Sequence, residues 1–140
     1  MYTKLRICNE NEYVKGKPND NDLEEILSAV NSHNFLARID MQEVNCTSPE
    51  EPESENDHCH AIARIYADLN DGWERVSGYL INKDRIDTNT KPIVLKAHSV
   101  DRDENGNLIE VMPFIYPLSK YYFVCYSSGY NGYDLELDNE

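Results

Sequence analysis

Three residues of this 140-residue chain have types and an order suited to acyl transfer: Cys59, His98 and Glu110. A thiolate attacks a carbonyl far better than a thiol does. Cys59 opens a run in which Ala61, Ile62, Ile65, Tyr66 and Leu69 recur at helical spacing before Asn70-Asp71-Gly72 ends it. A cysteine there feels the positive pole of a helix, which stabilises negative charge on sulfur. His98 is suited to take the thiol proton and return it to a leaving group. Glu110 is suited to hold the imidazole in one tautomer, as the third member of a triad does. The candidate catalytic set is therefore Cys59, His98 and Glu110. Trp73 and His60 are the candidate substrate-binding residues, and neither a metal nor a cofactor is expected.

Each of these residues has a plainer reading. Cys59 also reads as a small buried hydrophobe, His98 as a hydrogen-bonded strand histidine, and Glu110 as a solvent-facing residue between Ile109 and Val111. Trp73 reads first as a cap on the core and second as a residue lining a substrate groove. Asp57-His58-Cys59-His60 has the residue types of a zinc site. Adjacent residues rarely point the same way, so it supplies two ligands at best, with His33 and His98 as distant candidates for the rest.

The elements that must position these groups follow from pattern. Tyr2 to Cys8 reads as a strand. Lys15 to Asp22 is a loop with helix-start residues, and Leu23, Ile26, Leu27 and Val30 predict a helix over about 22–32. Phe35, Leu36, Ile39, Met41 and Val44 form an apolar stretch of unassigned type. Residues 47–57 are an acidic, proline-bearing loop. Strands are predicted around 76–82, 93–100, 108–112 and 121–126, with a turn at 103–107. The tail 134–140 is acidic and expected to be frayed and flexible. Taking Asn105-Gly106 as a two-residue turn sets residue 101 opposite 110 and His98 opposite about 113. A bulge or a longer loop shifts that register by one or two, so Glu110 falls near but not directly opposite His98 and approaches it diagonally.

Length predicts a single domain over 1–140. A net charge of −13, from 26 acidic and 13 basic residues, repels phosphates and argues against nucleic acid. It suits a basic protein partner, or simply solubility. No apolar run is long enough to span a bilayer, and the N-terminal residues lack the apolar stretch of a secretory signal. No membrane association and a cytoplasmic location are expected. Cys8, Cys46, Cys59 and Cys125 are widely and irregularly spaced and form no CxxC pair, so all four read as thiols.

The chain from Asn56 to Tyr126 also carries a resemblance. Its parts are Cys59-His60, Gly72-Trp73, Gly78-Tyr79-Leu80, Ala97-His98-Ser99-Val100 and the run from Asn105 to Pro113. This pattern resembles small bacterial and viral proteins in which a Cys-His pair opens a helix and a His- and Asp-bearing hairpin closes the core. That hairpin is similar to the transglutaminase-like, papain-related superfamily. The resemblance implies an α+β fold with a papain-like core, its Cys-bearing helix packed on an antiparallel sheet. It implies Cys59 as nucleophile, His98 as base and Glu110 in the orienting acid's place, where the family carries Asp. The expected activity is hydrolysis, deamidation or transamidation of a protein or peptide-like amide through a thioester. The backbone N–H of Cys59 would be one oxyanion donor; the sequence does not identify the second, for which Asn45 and Asn56 are candidates. Asp57 and its acidic neighbours oppose thiolate formation. The alternative expectation is a non-catalytic acidic binding module, a viral or plasmid inhibitor of a basic host protein.

Overall fold

The computed structural model describes residues 2–9, 18–33, 36–37, 42–43, 58–111, 120–125 and 133–138, with backbone alone at 9, 36–37, 42–43 and 58–60. The fold is α+β. Its elements are β1 (Lys4–Asn9), α1 (Asp20–Asn31), β2 (Leu36–Ala37), β3 (Gln42–Glu43), α2 (His58–Leu69), β4 (Glu74–Asn82), α3 (Lys83–Thr88), β5 (Ile93–Arg102), β6 (Leu108–Glu110), β7 (Tyr121–Cys125) and β8 (Asp134–Asp138). The strands form one sheet in the order β1-β8-β5-β4-β7-β2, with β6 also on β5 and β3 on β6. Among the described pairings all are antiparallel except β3–β6.

Helix α1 starts where Asn19 caps it. The Asn19 side chain accepts from the Asp22 N–H at 2.9 Å, and the Asp22 carboxylate accepts from the Asn19 N–H at 3.1 Å. This reciprocal pair satisfies two free donors of the first turn. The helix buries Ile26 and Val30 against Leu5, Tyr79, Ile81, Ile93, Leu95, Leu135 and Leu137. Helix α2 lies on the same sheet face, with Ile62 and Ala63 against Ile109 and Val111. Strand alternation sends Leu80, Val100 and Phe123 to the other face, where they form a separate cluster.

Three expectations are corrected. The tail is not frayed from 134: residues 134–138 form a strand between β1 and β5, with Leu135 and Leu137 buried. Its Asp-Leu-Glu-Leu-Asp sequence alternates, so the leucines enter the core and the acids leave it. Arg6 on β1 pairs with Glu136 and Asp138, and the Asp134 carboxylate accepts from the Ala97 N–H at 2.8 Å. The second correction is α3, which the apolar spacing did not suggest because Ile86 is its one buried residue. Asn82 caps its start, accepting from the Arg85 N–H at 3.1 Å, and Asn89 ends it in the left-handed conformation (φ 52°). The unassigned stretch after 33 contributes the short strands β2 and β3. The acidic loop 47–57 lies outside the described residues.

The third correction concerns the β5–β6 register. Asp101 faces Ile109 and Arg102 faces Leu108, so Glu110 falls opposite Val100 instead of Asp101. The connection is a three-residue loop, not a two-residue one; at the two-residue register alternation puts Glu110 on the face away from His98, so the expected diagonal approach requires the longer loop. The Asp103 N–H donates to the Asn107 carbonyl at 2.9 Å, and the Gly106 N–H to the Asp103 carbonyl at 3.0 Å. Gly106 sits at φ +85°, the left-handed position that follows a type I turn in such hairpins. The Asp103 carboxylate accepts from the N–H groups of Asn105 and Asn107 at 3.0 and 2.8 Å.

Deleting residues 134–140 is expected to abolish cooperative urea unfolding, since β8 bridges two strands of the sheet. Leu137→Ala alone should lower stability by about 2–5 kcal/mol. A dispensable tail would leave the unfolding midpoint unchanged in both variants.

Candidate functional site

The β5–β6 register places His98 and Glu110 on one face. Residues opposite one another in an antiparallel pair share a face, so Glu110 rises beside Val100, and His98 stands two residues along on the same side. His98 Nε2 and Glu110 Oε2 are 2.8 Å apart, and both side chains are 0 % exposed. Glu110 is thus buried, not solvent-facing. With the carboxylate ionised, the ring donates from Nε2, because a carboxylate only accepts. That tautomer assigns the acceptor role in a neutral imidazole to Nδ1.

Gly78 and Phe123 build the wall against which His98 sits, and the sequence had not marked either for this role. Gly78 pairs with His98 across β4–β5. A Cβ at Gly78 would meet the Val124 carbonyl oxygen and come within 2.6 Å of Phe123 Cζ. Glycine therefore lets the Phe123 ring lie across the strand. That ring meets the imidazole edge-on, with centroids 6.4 Å apart and planes at 82°. An edge-on pair is a favoured aromatic arrangement.

Position 59 is the second residue of α2, as the sequence placed it, and one helical turn before Ile62 and Ala63. Those two residues sit on the sheet face opposite to His98 and Glu110. The Cys59 and His60 side chains lie outside the described residues, as does Asp57. Trp73 packs in the α2 cluster with Ile62 and Ile109. Its indole N–H donates to Glu104 Oε2 at 2.9 Å, tying the α2–β4 corner to the hairpin loop. Among the described residues no group of three or more His, Cys, Asp or Glu is placed to hold a metal ion. Nor is any described helix long and apolar enough to cross a membrane. Cys125 is exposed by surface area. Neighbouring protein still desolvates its sulfur and holds the thiol pKa up, with the Arg102 guanidinium pulling the other way.

The α2 face of the same strands is polar too. Ser77 and Ser99 are buried with their hydroxyls 3.3 Å apart, and Asp101 is fully buried beyond them. No protein-family model, curated protein or solved structure matches the chain.

Glu110→Ala is expected to destabilise the fold by about 3–5 kcal/mol, as breaking a buried pair does. Glu110→Gln should cost less, because the amide oxygen still accepts from the ring N–H. Gly78→Ala should cost about 1–3 kcal/mol, because the added Cβ presses on the Val124 backbone carbonyl as well as on the Phe123 ring. Urea denaturation of the three variants checks the order, and equal losses for Ala and Gln at 110 would exclude the hydrogen bond as the cause.

Proposed function

We propose that this chain is a cysteine-dependent acyl-transfer enzyme with a papain-like core, acting on a protein or peptide-like amide in the cytoplasm. The observation that carries the proposal is the buried His98–Glu110 hydrogen bond. It is the orienting half of a nucleophile–base–acid set, made by two strands that follow a helix with cysteine in its first turn. Cys59 Sγ, as thiolate, attacks the amide carbon. The backbone N–H of Cys59 donates to the oxyanion that forms. His98 Nδ1 carries the thiol proton and delivers it to the departing amine, leaving a thioester on Cys59. Water or a second amine, deprotonated by His98, then attacks the thioester and regenerates the thiol. Glu110 keeps the ring oriented and offsets the positive charge it carries between steps. The chemistry needs the first turn of α2 to bring Cys59 Sγ round to the face of the sheet that bears His98.

A second reading is favoured by two observations. His98 and Glu110 are wholly buried, and the packed residues of α2 lie on the opposite sheet face. The pair would then be a structural device in a non-catalytic acidic protein that binds a basic partner through its net charge of −13.

Alkylation by iodoacetamide near neutral pH, followed cysteine by cysteine by mass spectrometry, separates the two. Catalysis predicts that Cys59 reacts about tenfold or more faster than Cys125, and that His98→Ala removes the difference without changing Cys125. A rate for Cys59 no greater than those of Cys8 and Cys125 overturns the enzyme. Capture of a basic protein by the Cys59→Ala variant, weakening steeply with salt, would then support the binding module.

A further inference from the structure

Beneath α2 lies a carboxylate that the proposed chemistry does not use. Asp101 stands on β5 directly opposite Arg75 on β4 and Ile109 on β6. Ile109 is one of the residues on which Ile62 and Ala63 of α2 rest, so Asp101 belongs to the floor on which the helix sits. Its side chain is 0 % exposed. Neither carboxyl oxygen has a hydrogen-bond partner among the described residues. An ionised carboxylate in that setting is strongly disfavoured, whereas a protonated one is tolerated.

The surrounding charges do not rescue the anion. Arg75 on β4 attracts it, while Asp68 in the last turn of α2 and Glu110 on β6 repel it. The end of α2 that carries Asp68 is also the negative pole of the helix. On β5 itself, His98 and Arg102 alternate to the other face, and Ser99 is neutral. Burial is the largest influence and outweighs Arg75, so the Asp101 carboxyl is pushed up from 3.8 to about 7.

We propose that protonation of Asp101 seats α2 on the sheet and that its ionisation loosens the helix, making α2 a proton-controlled latch. The latch stands independently of the acyl-transfer proposal. Its sign follows from linkage. Across the window from about pH 4 to about pH 7 the seated state holds a proton that the released chain has lost. Seating is therefore strongest at the acid end, weakens as pH rises through the window and levels off above about 7.

Hydrogen exchange of the α2 amides in the full chain, from about pH 5 to about pH 8 and corrected for intrinsic exchange, reads the opening equilibrium. Opening should grow by up to about tenfold per pH unit to near pH 7 and then flatten, the limit for one proton. Asp101→Asn should flatten the profile throughout. Carbon-13 NMR of the carboxyl groups should show Asp101 titrating near neutrality, and Arg75→Gln should move that midpoint higher. An Asp101 midpoint near that of exposed aspartates overturns the latch. So does an α2 opening profile that Asp101→Asn leaves unchanged. Should Asp101→Asn fail to fold, the carboxyl midpoint and the wild-type exchange profile decide alone.

Discussion

One residue of register in the β5–β6 hairpin decides which side of the sheet Glu110 occupies. A two-residue turn at Asn105-Gly106 would have set Glu110 opposite Asp101, on the face away from His98. The three-residue loop, with Gly106 left-handed and Asp103 accepting from two backbone N–H groups, moves it by one. Because side chains alternate, that single step carries the whole strand's pattern across the sheet. It turns two residues that could not meet into a buried pair 2.8 Å apart. Gly78 completes the arrangement, since the Phe123 ring that borders His98 fits only where no Cβ projects.

The same constraint explains why polar residues are enclosed at all. β4 pairs with β5 over Leu95–Arg102, while the other edge of β5 carries β8 over Ile93–Leu95 and β6 over Asp101–Arg102. From Ala97 to Asp101 both faces of β5 are buried. A residue at any of these positions is desolvated whichever way it points. Polar groups there need partners: His98 has Glu110, and Ser77 and Ser99 face one another.

Most of this framework can be read from the chain. The extents of α1, α2, β4, β5 and β7 follow from apolar spacing and caps, and Cys59 falls in the first turn of α2 as its neighbours imply. The failures share a cause. In 134–138 the composition is acidic, which points to solvent, while the alternation is that of a strand, which points to the core. α3 has too little apolar surface to announce itself and depends on Asn82 and Asn89 at its ends. The hairpin register turned on whether Gly106 closed a two-residue turn or ended a three-residue one, which the local sequence leaves open. The burial of Asp101 is not legible locally, because it comes from a helix far away in sequence. The signal was present in weak form: residues 93, 95, 97, 99 and 101 run Ile, Leu, Ala, Ser, Asp along one face, so a charge lies in line with the core.

Glu110 and Asp101 show how one hairpin gives two carboxylates different roles. They lie on adjacent strands, both fully buried, and each adds to the field at the other. Glu110 has an imidazole in hydrogen-bond contact, so its charge is matched locally. Asp101 has a guanidinium across the strand but no described hydrogen bond, and two acids oppose it. The first arrangement fixes a side chain, while the second leaves a state that a proton can change. α2 lies over Asp101, on the face opposite Glu110. It has 12 residues, so it is a rod of roughly 18 Å, with Cys59 in its first turn and Asp68 in its last. A rigid helix cannot shift over Asp101 at one end without moving the other. Under the proposed latch, ionisation of Asp101 would move the turn that carries Cys59.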